Sequence, residues 1–424
     1  MRSCPADLVP LVLVAALTAC GAAEDVAPGN AFTVTDSAGV RVAVNAAPLW
    51  TEAARWRLAD APELEIGQAM VGHAVVPFAA VAGVHALGSG ALAVYDPWAP
   101  GVFFFAEDGR FLGLAGRTGS GPGEFPARPT TTRESFACGA DTVYVRVDRH
   151  FAAFAAPGTY VRDVPLDTWR VAGCTEGRFL GLGGAGERPT EPGIHITKAV
   201  LGWYDLDGQL LAHVDTLPDR EREYAWSSPE GHGGLGSSWA LFGRGLAMGM
   251  GQGVLATSFE PDIRLRDAAG PVRMVIRVAG AARVVDGEDV RRFEDYVMNL
   301  LRGNGQERLR MEERLEEALG KPYPLFAELR IDPAGNIWAR RHDHVDAVAF
   351  YDYASFARGV PAPEQGEEPS TWMVFRPDGR WLGNVDMPPR FTVHEIGEAW
   401  VLGVWKDDYD VPFVRRYPLV QPGS

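Results

Sequence analysis

The chain has 424 residues, with 40 Lys and Arg against 55 Asp and Glu, and a formal net charge of −15. So acidic a surface repels nucleic acid and anionic lipid headgroups, which excludes both as partners of the folded part. The length exceeds what one ordinary compact core organises, so the chain holds either several domains or one repetitive architecture.

Residues 1–20, MRSCPADLVPLVLVAALTAC, carry one early arginine, an apolar run from Leu8 to Leu17, and small residues before Cys20. The run is too short for a permanent membrane span and has the form of a secretory signal. Leu17-Thr18-Ala19-Cys20 resembles the bacterial lipobox. That resemblance implies removal of residues 1–19 and acylation of the Cys20 thiol, giving a lipid anchor. Gly21 stands where an aspartate would imply inner-membrane retention, so the resemblance implies an exported protein held on the outer membrane, with membrane contact through the lipid only. Residues 20–50 are expected to be the lipidated cysteine and a tether, clearest in the small, polar stretch GAAEDVAPGNA at 21–31. Of the four cysteines, Cys4 leaves with the signal and Cys20 takes the lipid. Cys138 and Cys174 remain as a disulfide candidate in an oxidising compartment.

From residue 51 on, one pattern recurs: an apolar strand, an Asp-Gly or similar turn, and a second strand. It reads VFFFAEDGRFLGLAG at 102–116, GWYDLDGQLLAHVDTLP at 202–218 and MVFRPDGRWLGNVDMP at 373–388, with weaker copies at 151–166 and 263–278. Glycine supplies the positive φ such hairpin turns need. A second pattern, a glycine-containing loop and a short strand, precedes each copy: LGSGALAVYD (87–96), ACGADTVYVRV (137–147), GCTEGRFLGL (173–182), GQGVLATSF (251–259), DPAGNIWARRH (332–342) and IGEAWVLGVWKDD (396–408). Two hairpins in series make one four-stranded antiparallel sheet, and such a sheet repeated is a propeller blade. The copies predict blades near 78–116, 122–167, 168–218, 236–280, 322–388 and 390–420. The sixth is short, and ARWRLADAPELEIG at 54–67 is expected to supply its missing outer strand.

Two stretches fall outside this pattern. GRTGSGPGEF at 116–125 is glycine-rich, but no helix and no Gly-Lys-Ser/Thr follows it, so a phosphate cradle is not expected. Its place between the first two blades predicts a crossing loop with Phe125 wedged between them. At 286–322 the spacing of Val290, Phe293, Val297, Leu300 and Leu301, and then of Met311, Leu315 and Leu319, predicts a helical hairpin between blades four and five.

The crossing loop, the Asp-Gly hairpins and the ending RWLGNVDMPPRFTVHEIGEAWVLGVWKDDYDVPFVRRYPL resemble the six-bladed β-propeller lipoproteins of the broad NHL-like group. The resemblance implies an all-β, six-bladed propeller over 51–424 with one helical insertion. It implies a scaffold and little about chemistry, since scaffolds of this kind host many functions. In the repeat frame, Cys138 and Cys174 take comparable places beside neighbouring inner strands, which suits a bridge.

Loops between the outer strand and the next inner strand share one face with loops between the two middle strands, and that face is the expected binding face. Asp96, Trp98, Arg146, His150, Lys406 and Asp408 belong to it, as do His342, His344 and Asp346 in RRHDHVD. His342 and His344 alternate, so on a strand both imidazoles point to one side and are weak candidates for a metal, with Asp346 as an oxygen ligand. Inward carboxylates such as Asp96 suit calcium, so no cofactor is assigned and Ca or Zn in the central channel stays open. No nucleophile elbow and no His-Glu-x-x-His is present. Twelve tryptophans could stack on sugars, but Trp338, Trp381 and Trp405 fall inside the strand pattern.

The first functional expectation is therefore a monomeric, non-enzymatic, lipid-anchored envelope scaffold that binds a small molecule, a glycan or an envelope protein. The alternative is a metal-assisted, lactonase-like hydrolase or lyase at the central channel. A third is an assembly subunit docked through the helical insertion.

Overall fold

The computed structural model describes residues 31–422 except 100, 127–133, 148–149, 166–167, 176, 185–188, 227–234, 240, 269, 301–311, 313 and 344–368. Cys20, His344 and Asp346 therefore lie outside the described residues.

The first sheet shows how a continuous apolar run is shared between two cores. Its strands are Gly83–Ala86, Leu92–Asp96, Gly101–Phe105 and Phe111–Ala115, and the two middle strands are buried at every position. Neighbouring side chains on a strand point to opposite faces. Val94, Phe103 and Phe105 pack with Leu402, Val404 and Val414, while Ala93, Tyr95 and Phe104 pack with Val143, Val145 and Phe154. Both faces of the sheet are covered because a neighbouring sheet stands on each side. Burying one such phenylalanine is worth roughly 2–3 kcal/mol.

Five more sheets repeat this plan. Their inner strands are Ser135–Ala137, Thr168–Thr175, Ala247–Gly251, Phe326–Ile331 and Phe391–Ile396. Inner-strand contacts and the side-chain links described below join each of the six to the next, and the last to Gly83–Ala86, so the sheets close into a six-bladed β-propeller. The Asp-Gly turns lie where expected. Gly109 and Gly379 have φ of +84° and +89°, and Asp108 Oδ1 accepts the Arg110 N–H at 3.0 Å. The crossing loop after the first blade does what its glycines permit. Phe125 is buried between Tyr95 and Phe154, at centroid distances of 5.9 and 5.7 Å, and a Cβ on Gly116 would sit 2.3 Å from its ring. Cys138 and Cys174 form a disulfide between the second and third blades, with Cα atoms 5.9 Å apart.

The segment before the first blade does more than close the ring. Arg57–Leu58 and Leu64–Ile66 pair with Pro412–Val420 of the sixth blade. Earlier still, where a tether was expected up to residue 50, Phe32–Ser37 and Val40–Asn45 form a hairpin, and Arg41–Asn45 pairs in parallel with Met274–Val278 of the fourth blade. The buried Asn45 then reaches the fifth blade: its amide donates to Gly379 O at 3.0 Å and its Oδ1 accepts the Trp381 N–H at 2.8 Å. Leu49 and Trp50 donate backbone N–H groups to Trp381 O and Leu382 O. The chain thus laces the outer rims of three blades. Ala38 and Gly39, with φ of +53° and +84°, turn the chain back, and Ala43 and Asn45 are the residues the hairpin buries.

Two further elements extend the blades. In the third, Gly193–Asp205 pairs with Leu210–Trp226 from Gly193↔Tyr224 to Tyr204↔Leu210, and Leu235–Trp239 adds a third strand to the far half of this ribbon. Between the fourth and fifth blades lies the helix Gly287–Leu300, with more helical residues at 314–318. Asp286 Oδ1 caps the helix by accepting the N–H groups of Glu288 and Asp289 at 2.8 and 3.1 Å. Phe293 is fully buried against Phe242 at 5.4 Å, and Leu315 is buried, but Leu319 is half exposed, so the second apolar stripe is only partly covered. Arg314 pairs with Glu223 of the ribbon at 3.0 Å.

Candidate functional site: the central channel

Strands alternate in direction, so the connections between second and third strands all fall on one end of the ring. Asp96, Trp98, His150, His342, Lys406 and Asp408 belong to or flank those connections. They share a face, but each is engaged locally. Asp96 is fully buried: Oδ2 accepts Ala79 N and Ala80 N at 2.7 and 3.0 Å, and Oδ1 accepts Trp98 N and Ala99 N at 2.9 and 3.3 Å. A carboxylate offers about four acceptor sites, so Asp96 is a knot for its loop and does not fit a cation ligand. Arg146 is buried, donates to Glu134 at 3.2 Å and lies over the Phe151 ring at 4.6 Å. His150 stands 3.6 Å from Asp163. His342 packs edge-on against Tyr323 at 5.3 Å. Asp408 and Asp410 pair with Arg390 at 3.2 and 2.9 Å. Trp98 is half exposed, and the Lys406 N–H donates to Arg390 O at 3.1 Å. Among the described residues, no group of three His, Cys, Asp or Glu side chains is placed to hold a metal ion.

The polar groups that do converge come from the inner strands. Val84, Leu329, Phe391, Val393 and Ile396 face the blade interiors. Alternation then turns His85 and Arg330 the other way, while His394 sits at a register shift beside Val393. A cavity of about 610 Å³ runs among residues of five blades, including Glu134, Arg170, Arg220, Arg330, His394 and Glu395.

These side chains also join the blades. His85 Nε2 lies 2.9 Å from Ser135 Oγ, first blade to second. Glu134 accepts the Val171 N–H, second to third. Arg170 donates to Leu246 O at 2.7 Å, third to fourth. A Cβ on Gly249 would meet Leu329 O at 2.5 Å, so the fourth and fifth blades meet backbone to backbone. Arg330 donates to Val393 O at 3.3 Å, fifth to sixth, and Glu395 accepts the Ala86 N–H at 2.8 Å, sixth to first. A channel wall stitched in this way is held in place before any ligand arrives.

Burial sets the protonation states. Burial first, then the charges of His394 and Arg330, lower the His85 pKa to about 3. Burial and Arg330 lower that of His394 to about 4. Both imidazoles are neutral at pH 7. Burial raises the Glu134 carboxyl against the opposing pull of the Val171 N–H and Arg146, and it raises Glu395 as well. Burial also lowers Arg170, which stays a cation because guanidinium is not deprotonated in proteins.

Sequence reasoning missed this lining. The signal was present as Val84-His85-Ala86-Leu87-Gly88 in the first blade and Val393-His394-Glu395-Ile396-Gly397 in the last. One polar residue in the first blade, and two in the last, interrupt an apolar inner strand shortly before the turn.

No helix among the described residues is long and apolar enough to cross a membrane. No protein-family model matches the chain, and no curated protein does. Several solved structures are similar. One is a Bacteroides fragilis protein designated as exported, at 9% identity and TM-score 0.45, over 86% of this chain and 98% of the other. A member of the DUF4221 family from Bacteroides vulgatus follows, at 8% identity and TM-score 0.43, over 87% and 99%. A calcium-binding protein, regucalcin, from Agrobacterium tumefaciens has 10% identity and TM-score 0.32, over 86% and 95%. These are likenesses of fold alone.

Proposed function

We propose that this chain is a lipid-anchored envelope scaffold that binds a small molecule in its central channel and does no chemistry on it. The 610 Å³ cavity carries this reading: residues of five blades line it, and Arg170, Arg330 and Glu395 are already fixed by bonds to neighbouring blades. A concave, prepared, polar recess of this size suits a small ligand. The metal-assisted hydrolase reading finds no support in the lining, which brings arginines and backbone-committed carboxylates to the axis. Lys406, Asp408 and Trp98 remain candidates for a rim that a glycan or envelope protein would touch. The anchor rests on Leu17–Cys20 alone.

Two experiments test the reading. The signal-free protein is heated against a panel of anionic, neutral and cationic metabolites and glycans. The scaffold reading predicts that at least one class raises the melting temperature; a flat response across all classes contradicts it. Separately, Cys20→Ser is predicted to move the full chain from the membrane fraction to the soluble fraction, and continued membrane retention contradicts the anchor.

A further inference from the structure

We propose that the central channel is an anion site, taking a small carboxylate or phosphate compound between Arg170, Arg220 and Arg330. This rests on the small-molecule reading above and names its ligand class.

The argument starts from charge placement. The chain carries a net charge of −15, yet three arginines line one cavity. Burial weighs most on the Arg170 cation; among its charged neighbours Glu134 and Asp219 favour it while Arg220 and Arg330 oppose it, so cations and acids meet around one recess. Like charges gathered in a recess are destabilising unless something negative lies among them.

The acids of the lining supply only part of that. Glu134 is held by the Val171 N–H and Arg146. Asp332 accepts Asn336 N, Asn336 Nδ2 and Trp338 Nε1, at 2.8, 2.9 and 2.9 Å. Glu395 is committed to the Ala86 N–H at 2.8 Å. Behind the lining, Glu328 lies 3.0 Å from Arg340 and 3.5 Å from Arg330.

Acids stand near the arginines, with Asp219 against Arg220 and Glu328 at 3.5 Å from Arg330, but backbone carbonyls fix how two of the guanidinia point. Arg170 and Arg330 donate to the carbonyls of Leu246 and Val393, which orient a guanidinium without cancelling its charge. The buried Nε of Arg330 has no hydrogen-bond partner among the described residues. Arg220 also lines the cavity and is paired with Asp219 at 2.8 Å. His394, neutral beside Arg330, can donate one further N–H. A planar guanidinium such as that of Arg330 recognises carboxylate or phosphate in a bidentate manner.

The test is calorimetric titration of the signal-free protein with citrate and inorganic phosphate, and with glycerol as a neutral control, at constant ionic strength. The proposal predicts millimolar or tighter binding of at least one anion and none of glycerol. It predicts at least a tenfold loss in Arg330→Gln and in Arg220→Gln, and partial retention in Arg330→Lys. Arg220→Gln leaves the Arg170 and Arg330 blade links intact, so it serves if Arg330→Gln unfolds. Preference for citrate or phosphate assigns the ligand to the organic acids or the phosphates. Anion binding unchanged in both glutamine variants overturns the proposal. If only neutral or cationic compounds of the wider panel bind, this proposal fails and the scaffold reading survives. If nothing binds, both fail.

Discussion

Acidification is predicted to weaken the ring from its centre. His85 and His394 are held neutral in the channel, with pKa values of about 3 and about 4 against an unfolded value of 6.5. A folded pKa below the unfolded one means that the unfolded chain takes up protons first as the pH falls. The stabilisation is fully present above pH 6.5 and is lost progressively through the window down to the folded values. Between pH 7 and pH 5 each imidazole costs roughly 1–2 kcal/mol, and the pair about 2–4 kcal/mol, the lower figures allowing for the channel's partial access to water. Glu134 and Glu395 act in the opposite sense, because their raised pKa values let the folded chain take up protons first. The clean assay therefore compares slopes. Urea denaturation is followed at pH 7, 6 and 5 in the parent chain and in the His85→Asn/His394→Gln double variant. The double variant loses the His85–Ser135 bond and starts lower at pH 7. Its loss of stability between pH 7 and 5 is predicted to be smaller than the parent's by about 2–4 kcal/mol. Equal slopes in the two proteins would refute the placement of neutral imidazoles in the channel.

Three further perturbations address single joints of the fold. Replacing Cys138 and Cys174 with serine opens a loop of 36 residues and is predicted to cost about 4 kcal/mol by loop entropy, read as a lowered denaturation midpoint. Phe125→Ala empties the wedge between the first two blades and is predicted to cost about 3–5 kcal/mol, whereas Arg117→Ala in the same loop, at an exposed ion pair, should change stability by less than about 1 kcal/mol. Asp96→Ala leaves four backbone N–H groups without their acceptor and is predicted to cost about 3 kcal/mol. If Asp96 were instead an ion ligand, elemental mass spectrometry would find a divalent ion in the parent and lose it in the variant.

What the sequence made legible was local. Asp108-Gly109 and Asp378-Gly379 announce hairpins because only a few residues and one positive φ are involved. Phe125 after a run of glycines announces a buried crossing. The pairing of 54–67 with the last blade followed from a simple count, since a short final blade needs a strand and an orphan strand preceded the first. The hairpin at 32–45 was hidden by its neighbourhood, a signal and a polar stretch that read as linker. The third-blade ribbon was hidden because one strand of its far half is a charged run, Glu221-Arg222-Glu223, set opposite Ile194 and Ile196. The channel was hidden for a different reason. His85, Arg170, Arg330 and His394 are each an ordinary polar residue in a short strand. They become a site only when six strands surround one axis, and that convergence belongs to no single segment. The residues chosen instead, Asp96 and Arg146 above all, are polar residues spent on backbone bonds and a buried ion pair.

The most direct test of the channel as a binding site is native mass spectrometry of the protein taken gently from cells that make it. The account predicts one small anionic molecule per chain, absent from Arg330→Gln. A bare chain that also gains no mass from any anion offered would contradict it.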